Sequence, residues 1–317
     1  TGYSEDVIHN VKPSESPFGD MTFDRNSSST KVNAQGLVET VASDIPRIDY
    51  SNGVGAVLVE PFVTNQIRYS EDFSNSLWLK TAVTLTSSTG TNPRGESATI
   101  YAIQGAPAQG GLEATMAGTA GGNGVGASIW ARKKGGVGTA NVRIGYADSS
   151  SITYDTVSVG ADWQRITYTS TGYTGAQRFF VKPASTLAAD TIEIWGAQME
   201  KTGMGLNGRV SSYIPTTSVS VTRTRDNYLN GGDASLIGSQ EGVLFVEAAT
   251  LANQAGLNKS IALSASNSAA NRVALFFGYS SNQLTAFISA GGVTAVIYAT
   301  TTDQTAFNKI AIKYKSG

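Results

Sequence analysis

Cysteine is absent from the 317 residues, and there is one histidine, His9. Disulfides, zinc–thiolate sites and thiol nucleophiles are therefore excluded, and a Ser–His–Asp triad would have to draw its base from the extreme N-terminal stretch. A secreted eukaryotic module of this make-up usually carries disulfides, so their absence favours a bacterial or viral source. Charge is scarce as well. Charged residues make up 15%, with Lys+Arg 23 against Asp+Glu 24 and a net charge of -1. That balance sets up no field for a polyanion and excludes nucleic acid as a main partner. No apolar run approaches the ~20 residues that cross a bilayer, so no membrane insertion is expected. The chain opens at Thr1 and closes at Gly317 within a strand pattern, and both ends are expected to have been cut from something longer.

What is present in quantity is glycine, 35 copies, beside abundant Thr, Ser, Ala and Asn. Thr and Val suit a pleated sheet while Gly, Asn and Ser suit tight turns, so the expected class is all-β. Residues 1–65 form a polar, β-rich opening segment. In it Met21–Arg25 alternates like a strand, Lys31–Val41 reads as a hairpin turning at Ala34–Gly36, and Val57–Val59 as a short buried strand. Its apolar content is too small for a core of its own, so it is expected to pack on another chain or domain.

Residues 66–225 carry a persistent period of two: Val83–Thr86, Ala127–Arg132, Asn141–Tyr146, Ile152–Val159, Trp163–Thr169, Arg178–Val181 and Thr191–Trp195 each alternate faces. That pattern predicts an antiparallel jelly-roll β-sandwich. Gly118–Gly126 leads into a strand, not a helix, which argues against a phosphate cradle. Asp226–Asp233 reads as a turn-rich linker. Residues 234–317 then carry a second run of alternating segments, expected to be an incomplete sandwich whose missing strands follow Gly317.

Three stretches together resemble a type of tailed-bacteriophage virion protein, of the tail-fibre or head-fibre kind. The first is Thr22-Phe-Asp-Arg through Leu37-Val-Glu-Thr-Val-Ala, with Pro46-Arg-Ile-Asp-Tyr. The second is Leu58-Val-Glu-Pro, Thr64-Asn and Tyr69-Ser-Glu-Asp-Phe-Ser-Asn-Ser-Leu-Trp. The third is Ile194-Trp-Gly-Ala-Gln-Met-Glu, with Ser212-Tyr-Ile-Pro-Thr-Thr and Val221-Thr-Arg. The resemblance implies that residues 1–65 attach to other virion proteins and that residues 66–225 form a jelly roll like a carbohydrate-binding module. It further implies a homotrimer on the exterior of the phage particle, with a host surface glycan as partner. Residues 234–317 resemble laminin-G and concanavalin-A-like lectin sandwiches, chiefly through Phe307–Gly317. Two alternatives stay open: a head fibre or decoration component with no ligand, and the non-catalytic part of a polysaccharide depolymerase.

The acids Glu71, Asp72, Asp148, Asp155, Glu193 and Glu200 show no spacing that singles out a glycosidase pair, so no catalytic residue is assigned and the chain is read as a non-enzyme. Of the four tryptophans, Trp130, Trp163 and Trp195 lie inside strand patterns and are expected in or beside a core. Trp78 sits in a loop-like stretch and reads equally as a sugar platform or a hydrophobic plug. Tyr146, Tyr154 and Tyr168, with Arg143 and Gln164, would line a concave binding face or pack as ordinary cross-strand neighbours. Jelly rolls of the resembled kind often carry a calcium ion joining first and last strands, which makes Glu71, Asp72 and Glu200 the candidate ligands. No other cofactor is expected.

Overall fold

The computed structural model describes residues 2–4, 7–9, 22–106, 110–116, 124–148, 151–170, 177–201, 209–229, 240–250, 259–264, 269–277, 282–300 and 303–315. They fall into two compact units, Thr1–Leu229 and Asn230–Gly317. Among these residues the regular structure is all β, apart from one 3-10 turn at Ala188–Asp190.

The first unit is built on a jelly-roll sandwich of ten strands. They are β1 (Trp78–Lys80), β2 (Val83–Thr91), β3 (Ser97–Gly105), β4 (Leu112–Thr115), β5 (Val125–Lys133), β6 (Ala140–Ala147), β7 (Ile152–Val159), β8 (Gln164–Ser170), β9 (Arg178–Pro183) and β10 (Ile192–Lys201). Two antiparallel sheets result, ordered β2-β3-β10-β5-β8 and β7-β6-β9-β4-β1. The alternation legible in the sequence fills the space between them. Val125, Ala127, Ile129 and Ala131 of β5 share one buried cluster with Val142 and Ile144 of β6 and Phe179 and Val181 of β9. The Val, Ile and Phe side chains among these each contribute ~1.5–3 kcal/mol on full burial.

Trp78 belongs to this inner cluster at 2% exposure. Its ring centroid lies 4.8 Å from that of Phe73 and 5.8 Å from that of Phe179, and its indole Nε1 donates to the Tyr69 carbonyl at 3.0 Å. The plug holds, and the sugar-platform assignment of Trp78 is corrected. Trp130 and Trp195 do sit in a core, but on the outer side of the first sheet. There they join Val38, Ile100 and Tyr213, with the half-buried Trp163 packed at the rim. Gly196 makes this second core possible. The register between β5 and β10 slips by a residue between Ser128 and Trp130, and Gly196 takes the positive φ of 65° that such a bulge needs. A Cβ at Gly196 would stand 3.0 Å from the Trp130 ring and 3.2 Å from Tyr213.

The cover over that aromatic cluster is the N-terminal segment. Ser29–Val32 pairs with Val38–Val41, around a turn in which Gly36 has φ 78°. Thr22–Asp24 pairs with Asn227–Leu229, and Val63–Asn65 with Val221–Arg223. Ala56–Val57 pairs with Ile48–Asp49, yet Val57 and Val59 are exposed, not buried as the alternation suggests. A buried ionic seam ties the segment down. Arg47 donates to Glu60 Oε2 at 2.9 Å, to the Thr30 carbonyl at 2.9 Å and to Ser212 Oγ at 2.8 Å, and also bonds Asp226. Arg25 reaches Asp226 at 3.2 Å, and Arg223 reaches Glu60 at 3.4 Å. Burial alone would raise the Glu60 carboxyl, but Arg223, Arg47 and the Ser212 hydrogen bonds bring it down to about 2.

In the second unit, Glu241–Ala248 pairs with Asn308–Lys315. A four-stranded sheet orders Lys259–Ser264, Arg272–Phe277, Gln283–Ala290 and Val293–Thr300. Leu244, Val246 and Ile312 of the first sheet share a core with Val273, Leu275, Phe277 and Leu284 of the second, which makes this unit a sandwich as well.

Candidate functional site

The outer face of the second sheet carries a set of side chains that the sequence hides. Strand pairing places Tyr154 of β7 and Phe180 of β9 on either side of Gly145 of β6. Without a side chain at Gly145 the two rings close over the strand, stacked with centroids 6.0 Å apart and planes 30° apart. Gly145 has no room for a Cβ, which would fall 1.9 Å from the Thr153 carbonyl oxygen. Phe180 is buried and Tyr154 is 39% exposed, so Phe180 supports a ring that Tyr154 presents to solvent. Two residues along β6, the Arg143 guanidinium carbon stands 4.9 Å from the centre of the Tyr154 ring. Lys182 lies directly across from Arg143 and donates to the Ala106 carbonyl at 2.8 Å. Burial, and then the Arg143 charge, lowers the Lys182 ammonium.

These residues line a cleft of about 260 Å³ whose wall continues through Pro183, Ser185 and Thr186. An aromatic face beside fixed donors, on an open sheet, fits the C–H face and hydroxyls of a sugar ring. A second groove, about 330 Å³, runs along the N-terminal segment past Asp24, Phe62 and Arg225. Among the described residues it has one ring, Phe62, and no stacked support.

Arg143 and Tyr154 are therefore brought together, and the other candidates are not. Tyr146 packs against the inner core, edge to face with Tyr168 at 6.0 Å. Gln164 is exposed, but on β8 of the other sheet. Glu71 accepts from the Tyr213 hydroxyl at 3.0 Å and pairs with Arg94 at 3.6 Å. Asp72 accepts from Tyr101 at 2.8 Å and from the Ser74 amide at 3.1 Å. Glu200 is wholly buried and accepts from the Ser211 amide at 3.1 Å, the Ser211 hydroxyl and Gln198. Among the described residues no three acids or histidines gather around one point, so Glu71, Asp72 and Glu200 are not brought together, and each is bonded within the protein.

Phe180, Lys182 and Gly145 escaped the sequence reading. One signal was there: in Arg178-Phe-Phe-Val two adjacent apolar residues sit on one strand, so one of them has to face outward. Phe179 points into the core and Phe180 to the site. The ionic seam had a signal too. Arg25, Arg47, Glu60, Ser212 and Arg223 all fall inside the three stretches singled out in the sequence, so those stretches mark the attachment of the N-terminal segment to the sandwich.

No family model matches the chain, and no curated protein does. Three solved structures align with parts of the chain. The CBM22-1 xylan-binding domain of Paenibacillus barcinonensis Xyn10C aligns over 43% of this chain and 95% of its own, at 12% identity and TM-score 0.33. The CBM22-1–CBM22-2 tandem of the same protein aligns over 83% and 92%, at 12% identity and TM-score 0.35. The CBM22-1–GH10 modules of Clostridium thermocellum Xyn10B, solved with xylohexaose, align over 49% of this chain and 30% of theirs, at 14% identity and TM-score 0.32.

Proposed function

We propose that the chain is a non-catalytic glycan-binding protein of a tailed-phage virion, with the sugar held on the outer face of the second sheet at Tyr154. The observation that carries the reading is the supported ring: Tyr154 backed by Phe180, flanked by Arg143, and opening on a cleft. Glu113, the acid on that face, is bound by Arg178 at 2.8 Å, which favours binding over acid–base chemistry. The virion role is supported by the phage-like stretches, which build the seam under the N-terminal segment. A shallow sugar site of this sort gives dissociation constants near ~1 mM, about -4 kcal/mol, and many copies turn that into attachment. A glycan array probed with the multimerised chain tests it. Wild type should light a defined set of glycans and Tyr154→Ala should lose them; identical patterns for both would remove the site.

A second reading, assembly without a ligand, is favoured by one feature. Val54, Val57, Val59 and Phe62 form an exposed apolar run on the N-terminal segment, suited to burial against another virion protein or another copy of the chain. The run and the cleft lie on different residues, so each can be altered without touching the other.

A further inference from the structure

The charge around the proposed site is one-sided. Arg143 and Lys182 face each other directly across β6 and β9, and like charges so placed destabilise a sheet. None of the described residues lining the cleft is acidic. Among the described residues no carboxylate forms an ion pair with Arg143, and its buried Nε has no hydrogen-bond partner. Glu113, on the same face, is already held by Arg178. A site for neutral sugars would be expected to offer carboxylates or amides that accept hydroxyl protons. This cleft offers a guanidinium fixed beside a ring, an ammonium and the hydroxyls of Ser185 and Thr186.

We infer that the sugar unit lying against Tyr154 is anionic, a uronic acid, sialic acid or sulfated residue whose negative group is taken by Arg143; this rests on the glycan-binding reading above. The planar guanidinium matches a carboxylate or sulfate through two parallel N–H donors, which a lysine does not do. The anion also relieves the repulsion between the two facing cations. Lys182, held by the Ala106 carbonyl, contributes field, while Arg143 makes the contact.

The test is calorimetry on the full chain with matched pairs: oligouronides and their methyl esters, sialylated oligosaccharides and their carboxyl-reduced forms, sulfated oligosaccharides and their desulfated forms. One anionic member should bind at least about tenfold more tightly than its neutral partner. That preference should shrink as salt rises from ~0.01 to ~0.15 M, where the screening length falls from ~30 to ~8 Å. Arg143→Gln should bring the acid down to the level of its neutral partner while the melting temperature stays that of wild type, and Arg143→Lys should restore only part of the preference. Equal affinity within every pair, lost together in Tyr154→Ala, overturns the anionic inference and leaves the glycan site standing. Silence across all pairs overturns both.

Discussion

Replacing Trp78 by Ala removes a side chain that is 2% exposed and rests against Phe73 and Phe179 between the sheets. The loss should be ~3–5 kcal/mol, the usual range for a buried aromatic. Trp163→Ala should cost less than half as much. That ring lies at the rim of the outer cluster, with the Arg132 guanidinium 4.4 Å above it and one hydrogen bond to the Thr91 carbonyl. Urea unfolding of the two variants checks the order, and a larger loss for Trp163→Ala would contradict the placement of the cores. In the sequence Trp130, Trp163 and Trp195 look alike, because alternation separates two faces without naming which one is covered, and Trp78 stands apart in a loop-like stretch. Trp130 and Trp195 were legible as buried; that their cover is the segment around Val38 was not. At the candidate site the same limit applied. Arg143 and Tyr154 could be picked out as polar-face residues, whereas Gly145 and Phe180 acquire their role only once three strands are in register.

At the scale of elements, the ionic seam and Glu200 make the stability of the first unit depend on pH in opposite senses. Glu60 titrates at about 2 when folded, below its ordinary 4.5, so its stabilisation is complete above 4.5 and is lost as pH falls toward 2. Burial, outweighing the Ser211 hydrogen bonds, raises Glu200 to about 7 from the same 4.5. The folded chain therefore retains a proton that the unfolded chain gives up, and stability falls as pH rises from 4.5 to 7. The melting temperature of the first unit should peak near pH 4.5 to 5 and decline toward 7, and Glu200→Gln, a neutral mimic, should flatten that decline. An unchanged slope in Glu200→Gln would remove the assignment. Asp226→Asn should cost ~3–5 kcal/mol at neutral pH, because it strips the carboxylate from Arg25 and Arg47 while both stay buried. The strands and hairpin of this segment were readable from alternation and turn residues. The seam was not, since Arg25 and Asp226 are 201 residues apart and meet only in the folded unit.

At the scale of the whole molecule, the chain divides into two all-β units, and a buried apolar cluster lies within each. Among the described residues Val54, Val57, Val59 and Phe62 are left exposed, and we propose that three copies related by closed symmetry bury them. Light scattering at micromolar concentration should give three times the chain mass, and Val57→Asp with Val59→Asp should reduce it to one. A wild-type monomer under those conditions would contradict the trimer. The central claim is that Tyr154 and its neighbours form a sugar site, and amide shift mapping tests it most directly. The chain is titrated with whichever glycan the array selects. The account predicts shifts concentrated at Arg143–Gly145, Thr153–Asp155 and Phe180–Lys182, absent in Tyr154→Ala; shifts confined to the other sheet or to the second unit would contradict it.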